Sequence, residues 1–327
     1  CSDLKGRRLL NLDSEEEGVF TVSCAGGLRA DCFVPAVKEP MTDEACFAVS
    51  IGGLKGGHSG AEIDKGRGSG NDLISRVLYS AMERLGTLRI ADLRGGQFDN
   101  VICTRCDAVV AVPAGKAEDF AAFIREFDGI LKNEYAATDG GVTLTCAAAD
   151  ADAAYSAEDS SRLLHVLLTL PQGVEVMSAD FPGLVQTSLN LGVMTACGDG
   201  LHFSFSIRSS VATQKELLLQ RVRAIVEYTG GGTVSTRGDY PAWQYARQSP
   251  LRDTVMASYK QITGQDGVIM ATHGGLECGL LINKMPGLDA VSLGPELHDI
   301  HSPRERLGVD SVKRMYALVC EVLKNCR

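Results

Sequence analysis

The sequence predicts an α/β protein whose α/β domain is interrupted by an inserted α+β domain. The chain has 327 residues, which is enough for two domains. Strand-like and helix-like segments alternate in the last part of the chain, as in an α/β layer, whereas the middle holds runs of strands with four helices among them. We therefore expect residues 1–30 and 238–327 to form one domain and residues 31–237 to form the insertion.

The amino-terminal part of the chain begins with two predicted strands, at residues 9–12 and 19–22, which an acidic loop separates. Alternating apolar residues predict a further strand at 46–51, and a glycine-rich turn that contains His58 follows it. Asn71 is expected to cap a helix that continues to residue 85, because apolar residues recur there at helical spacing.

The remaining elements are predicted from the same two patterns of apolar residues, alternation for strands and helical spacing for helices. In the insertion we expect strands at 88–93, 101–112, 141–147, 183–194 and 201–211, and helices at 116–132, 160–170 and 213–228. Three consecutive glycines at 230–232 end this region. The last part has a predicted helix at 249–263, strands at 268–271 and 290–293, and a terminal helix capped near Asp310.

Composition and charge exclude several classes of protein. Hydrophobic residues make up 45% of the chain and charged residues 22%, as in globular domains. The 32 basic and 41 acidic residues are mixed along the chain and give a net charge of −9, which argues against a nucleic-acid partner. No apolar run approaches the roughly 20 residues of a bilayer span, so we expect no membrane partner.

The cysteines favour a reducing compartment. Their number, 11, is odd and they are scattered, which fits the cytoplasm better than a disulfide framework. Cys103 and Cys106 form a C-x-x-C pair, for which buried structural thiols are a better interpretation than a metal or redox site.

Two segments could bind a metal. Residues 294–305 place His298 and His301 after an apolar strand, and imidazole is a common metal ligand. The alternative is a solvated loop that enters a helix, since Ser302 and Glu305 have the spacing of a capping box. Asp13 also follows a strand, where it could be a ligand or one of several solvated acids.

Two further residues could contact an anion. His58 lies in a glycine turn, where backbone donors and an imidazole can face a developing negative charge. Arg208 ends an alternating strand, and its planar guanidinium could bind a carboxylate or be an exposed strand residue.

Five separated strings resemble the M20 metallopeptidases, and most closely the aminoacyl-histidine dipeptidases. They occur in the family's order over essentially the whole chain, at residues 4–15 (LKGRRLLNLDSE), 53–60 (GLKGGHSG), 238–243 (GDYPAW), 273–279 (HGGLECG) and 293–303 (LGP through HDIHSP). The resemblance implies a zinc-peptidase-like catalytic domain, at residues 1–30 and 238–327, and an inserted lid at 31–237. It also implies a site with two zinc ions, for which Asp13 and His301 resemble one ligand of each metal.

The same resemblance assigns roles around a dipeptide substrate. His58 resembles the lid histidine that stabilises the tetrahedral oxyanion. Asn190 and Arg208 resemble the lid residues that hold the substrate backbone and its free carboxylate. His273 and Glu277 lie in a loop that resembles the family's substrate-binding loop, with Glu277 engaging the substrate amino group.

The sequence departs from the family in its metal ligands. The family's H-x-D string occurs nowhere in the chain, and the acids at 15–17 follow Asp13 instead of preceding it. We therefore expect a catalytic domain that lacks its first segment, binds zinc weakly and hydrolyses little by itself.

The resemblance implies metal-dependent hydrolysis of Xaa-His dipeptides in the cytoplasm, by a protein that forms a homodimer through its lid. Two alternatives stay open. The first is an inactive relative or fragment that acts as a binding or dimerisation module. The second is an M20-type amidohydrolase that acts on acylated amino acids.

Overall fold

The computed structural model describes residues 4–300 and 302–326, which fold into a small and a large β-sheet with helices packed against both. Strands and helices are numbered here in chain order. The small sheet has the order β1-β17-β2-β16. Its strands are β1 (Arg8–Asn11), β2 (Val19–Cys24), β16 (Val268–Thr272) and β17 (Asp289–Ser292).

The large sheet has nine strands in the order β10-β5-β9-β7-β13-β14-β3-β15, and β12 also pairs with β13. Its strands are β3 (Gly26–Pro35), β5 (Glu44–Gly52), β7 (Arg89–Gly95), β9 (Cys106–Pro113), β10 (Thr143–Ala149), β12 (Gly173–Met177), β13 (Val185–Ala196), β14 (Gly200–Ser209) and β15 (Thr233–Tyr240).

Three short ribbons complete the strands: β4 (Lys38–Pro40) with β11 (Ala153–Tyr155), β6 (Gly57–His58) with β8 (Val101–Ile102), and β18 (Leu297–His298) with β19 (Arg306–Leu307). The helices are α1 (Gly70–Leu85), α2 (Ala117–Glu134), α3 (Ala157–Thr169), α4 (Ala212–Arg223), α5 (Pro250–Thr263), α6 (Glu277–Lys284) and α7 (Val309–Asn325). Within the described residues, no helix is both long enough and apolar enough to cross a bilayer.

The small sheet is covered by helices on both faces. Phe20 and Val291 pack with apolar residues of α5 and α7. Val22 and Ala290 pack with Trp243 and with Cys278 of α6. The expected α/β layer built from both ends of the chain is confirmed, because β1 and β2 pair here with β17 and β16.

The large sheet has a continuous core of its own. Helix α1 buries an apolar stripe of the predicted spacing and ends where Gly86 adopts a left-handed conformation. The strands of this sheet lie between β3 and β15, so the inserted α+β region is also as expected in its architecture. The boundaries at residues 30 and 238 fall inside β3 and β15, and the division into a catalytic and a lid domain stays a prediction.

Three local expectations are wrong. Asn71 does not cap α1 but lies inside it, where its amide donates to the carbonyl of Leu191. The strand at 101–112 is broken into β8 and β9 by an irregular segment at residues 103–105. Ser302 does not begin a helix, because residues 302–305 lie in the turn between β18 and β19 and α7 starts only at Val309.

The thiols of the C-x-x-C pair are buried, as expected. Burial raises the pKa of Cys103 and raises that of Cys106 well above its ordinary value. All cysteines among the described residues are free.

Candidate functional site

Arg208 is a buried cation on β14, with only 6% of its surface exposed. Its Nη1 donates to Tyr240 Oη at 3.2 Å, and its buried Nε has no hydrogen-bond partner. It forms no ion pair with a carboxylate in the part of the chain that the structure describes. Buried charges are ordinarily paired, so an unpaired guanidinium indicates a place for an anion.

Tyr240 reaches Arg208 because two glycines leave room for its ring. A Cβ atom at Gly27 of β3 would lie 2.6 Å from Tyr240 Oη, and one at Gly275 would lie 2.8 Å from the ring. Both are closer than side-chain carbons approach each other, which explains why glycine occupies these positions. The phenol therefore lies between β3 of the large sheet and the loop after β16.

His273 follows β16 and joins the two sheets. Its Nε2 lies 2.7 Å from Ser188 Oγ, and both residues are buried. Ser188 is the cross-strand partner of Arg208 in the β13–β14 pairing, which fixes the imidazole on the strand pair that holds the guanidinium. Burial and, secondarily, the charge of Arg208 lower the pKa of His273 to about 4. The ring is therefore neutral at pH 7.

His58 is the exposed histidine of this group. Its Nδ1 accepts a hydrogen bond from the backbone of Gly60 at 3.2 Å. A Cβ at Gly60 would lie 2.9 Å from His58 Cε1 and 3.2 Å from Arg208 Cζ, so only a glycine lets the imidazole approach the guanidinium. Reduced solvation and the charge of Arg208 lower the pKa of His58, although Glu62 opposes this. Because Nδ1 accepts, the neutral ring carries its hydrogen on Nε2 and can donate from there.

Asn190 holds the backbone segment that pairs with His58. Its Nδ2 donates to the carbonyls of Asp99 and Val101, at 2.9 Å each. Val101 is the backbone partner of His58 in the β6–β8 ribbon. The amide therefore holds the strand that positions His58, and a direct contact between Asn190 and a substrate stays a prediction.

Glu277 begins helix α6, four residues after His273, and its side chain is exposed. The neighbouring backbone is tightly held, since Cys24 Sγ accepts from Leu276 N at 3.3 Å. Within the described residues, the Glu277 carboxylate forms no ion pair, and it follows the loop that carries His273.

Asp13 is exposed and lines a cavity of about 330 Å³. The cavity extends from Asp13 to Thr272 and Leu276, which flank the loop that carries His273. The structure thus brings His58, Arg208 and His273 into one group and places Asp13 in an adjoining cavity. His301 lies outside the described residues.

The comparisons with known proteins support one family. Residues 49–139, which lie in the large sheet and its helices, match the model of a peptidase dimerisation domain of the M20 type. The cytosol non-specific dipeptidase of Escherichia coli (strain K12) is 34% identical over 97% of this chain. The crystal structure of aminoacylhistidine dipeptidase from Vibrio alginolyticus superposes on 99% of this chain with a TM-score of 0.93 at 31% identity.

In sequence and fold, this chain is similar to the M20 peptidases.

The chain spans part of the length of these two proteins, 65% of the Escherichia coli protein and 66% of the Vibrio alginolyticus chain. The expectation of a catalytic domain without its first segment stays a prediction.

The described residues do not form a complete M20-type metal site. Of the two predicted ligands they include Asp13, and around it no His, Cys, Asp or Glu residues in this part of the chain gather three ligand atoms within 4.8 Å of one another.

Ser188 and Tyr240 are the members of this group that the sequence did not identify. Tyr240 lies in the GDYPAW string, which could have marked it as a candidate site residue. Its contact with Arg208, however, depends on the register of β15 against β3. Ser188 has no comparable signal, because its role comes from facing a histidine 85 residues away.

Proposed function

We propose that this chain binds dipeptides and carries the substrate-recognition part of a metal-dependent dipeptidase. The unpaired, buried guanidinium of Arg208 is the observation that carries the proposal. A dipeptide carries a carboxylate at its carboxyl terminus. A charge-assisted hydrogen bond from a desolvated arginine to that carboxylate is stronger than the same bond in bulk water. The names of both M20 relatives, each a dipeptidase, support the same substrate class.

His58 is proposed to stabilise the oxyanion. Hydrolysis places a negative charge on the former carbonyl oxygen, and a positioned donor stabilises that charge. The Nε2–H of neutral His58 is such a donor, since its Nδ1 already accepts from Gly60. Holding the ring neutral near Arg208 prevents repulsion between two cations while the donor is retained.

Glu277 is proposed to bind the substrate amino group. An ammonium needs an acceptor, and the exposed carboxylate at the start of α6 offers one beside the His273 loop. Recognition of both termini would restrict the site to short peptides. Histidine as the second residue of the substrate is supported by the name of the Vibrio alginolyticus relative.

The cofactor proposed is zinc, as two ions in the complete site, with Asp13 and His301 among the ligands. Zinc bound there would supply an activated water. We also propose that the protein acts in the cytoplasm, which the name of the Escherichia coli relative and the free cysteines support.

A homodimer through the lid is proposed as well, because the matched dimerisation domain lies in the large sheet. Light scattering of the purified chain at micromolar concentration should give twice the mass of 34.8 kDa. A monomer mass there would contradict the dimer.

Calorimetric titration with an Xaa-His dipeptide and with its carboxyl-terminal amide tests the recognition proposal. The amide keeps the shape and removes the negative charge. We expect the dipeptide to bind roughly 10- to 100-fold more tightly, the size of a charge-assisted hydrogen bond. Equal affinities would contradict the proposed role of Arg208.

An acylated amino acid distinguishes the amidohydrolase alternative. It retains the carboxylate that Arg208 would bind and lacks the ammonium that Glu277 would bind. The proposal predicts weaker binding of N-acetylhistidine than of a dipeptide, and Glu277→Gln should remove that difference. Tighter binding of N-acetylhistidine would favour the amidohydrolase.

A further inference from the structure

A second group of metal-ligating side chains lies at the hairpin between β13 and β14. Cys197, Asp199 and His202 each offer one ligand atom, and these atoms all lie within 4.8 Å of one another. The group lies six residues along β14 from Arg208, which corresponds to about 20 Å of strand. It is therefore separate from the proposed dipeptide site.

The hairpin that carries Cys197 is held in one conformation. Cys197 N donates to Gly200 O at 2.8 Å, and Gly200 has a positive φ of 150°. The hydroxyl of fully buried Tyr155 lies within hydrogen-bond distance of the carbonyls of Cys197 and Gly200, which share its one hydrogen, and it accepts from Cys197 N. A buried phenol thus fixes the backbone of both turn residues, which lowers the entropy cost of bringing ligands together.

His202 is also oriented. Its ring packs against Phe33 of β3 with a centroid separation of 4.6 Å. Its Nε2 lies 3.9 Å from Asp199 Oδ1. Both side chains are exposed, and Cys197 is partly exposed, so an ion has access from solvent.

We propose that Cys197, Asp199 and His202 bind a zinc-like divalent ion. Zinc takes thiolate, imidazole and carboxylate ligands, and its open sites combine three protein ligands with a water in the fourth position. The thiolate disfavours magnesium and calcium. Sulfur and nitrogen ligands of a tetrahedral zinc lie about 3.5 Å apart, so the side chains need only small rotations to close on the ion. On binding, the Cys197 thiol releases its proton to solvent and the sulfur forms the bond to the metal.

Cobalt is the probe that tests this site, because Co²⁺ replaces zinc and a thiolate ligand gives a near-ultraviolet charge-transfer band. The full chain, stripped with a chelator under reducing conditions, is titrated with Co²⁺ alone. We expect the charge-transfer band, with displacement of cobalt by added zinc. Cys197→Ser should abolish the band, and His202→Gln should weaken cobalt binding about tenfold or more.

Two matched variants keep the assignment specific. Cys146→Ser removes a partly exposed strand cysteine outside the group, and Asp13→Asn removes the ligand predicted for the dipeptidase site. Both should keep the band, and circular dichroism should show that every variant is folded. The proposal is overturned if wild type shows no charge-transfer band, if Cys197→Ser keeps it, or if Asp13→Asn alone removes it. Failure of dipeptide binding leaves these outcomes unaffected, since the two sites share no residue.

Discussion

At the scale of single residues, the site depends on burying polar groups beside a cation. Arg208 is desolvated and unpaired, and its charge lowers the pKa of both His58 and His273. Burial costs stability unless a partner compensates, so such an arrangement is typical of a binding site.

His273 makes stability depend on pH. The ordinary pKa of histidine is about 6.5, and in the folded chain burial lowers it to about 4. Below pH 6.5 the unfolded chain takes up this proton and the folded chain does not, so stability falls progressively as the pH drops from 6.5 toward 4.

We expect a loss of about 2 kcal/mol between pH 7.5 and pH 5 from this residue. Urea unfolding at several pH values measures it, and His273→Gln serves as the comparison because it lacks the titrating group. The difference in the free energy of unfolding between wild type and His273→Gln should shrink as the pH falls. A difference that stays constant over this range would show that His273 titrates normally.

Residue types and spacing could predict Arg208 and His58, because a guanidinium at a strand end and an imidazole in a glycine turn are local signals. Their meeting could not be predicted from local signals. It depends on the β13–β14 register, which places Ser188 opposite Arg208, and on the close approach at Gly60.

At the scale of elements, the loop after β1 is positioned by contacts with the small sheet. Ser14 Oγ lies 2.9 Å from Ser292 Oγ of β17 and donates to Thr21 of β2. Gly294 packs against the same loop, and a Cβ there would lie 1.6 Å from the carbonyl oxygen of Ser14. This packing places Asp13 at its cavity.

Gly294→Ala should therefore destabilise the protein by about 1–3 kcal/mol or more, because backbone atoms must move to accept the methyl group. Gly129→Ala is the matched control. Gly129 is exposed in α2 and nothing lies near its missing Cβ, so alanine should stabilise the helix by about 0.5–1 kcal/mol. Chemical denaturation of both variants measures the change in the free energy of unfolding, which should be negative for Gly294→Ala and positive for Gly129→Ala. Two changes of the same sign would contradict the close packing at Gly294.

Strongly periodic elements such as α1 and α7 could be predicted from the sequence, whereas β3, β15 and α6 could not. The outer face of β3 carries Arg29 and Asp31, which obscure its apolar alternation. These charges are paired only after folding, Arg29 with Asp99 and Asp31 with Arg237. Helix α6 has 8 residues and follows a glycine-rich segment, so it is too short for a clear pattern.

At the scale of the whole molecule, the site forms where the two sheets meet. The large sheet provides Arg208 and Ser188, the β6–β8 ribbon provides His58, and the loop after β16 of the small sheet provides His273. The chain passes between the sheets at Cys24 and Trp243, whose backbones pair with each other. Elements distant in sequence thus enclose one buried cation.

The coupling between Arg208 and a ligand carboxylate is the most direct measurement of this account. Calorimetry gives the affinities of wild type and Arg208→Met for a dipeptide and for its amide, with Arg237→Met, whose arginine is exposed and paired with Asp31, as the control. We predict that wild type and Arg237→Met prefer the dipeptide roughly 10- to 100-fold and that Arg208→Met loses this preference. An undiminished preference in folded Arg208→Met would contradict recognition of the ligand carboxylate by Arg208.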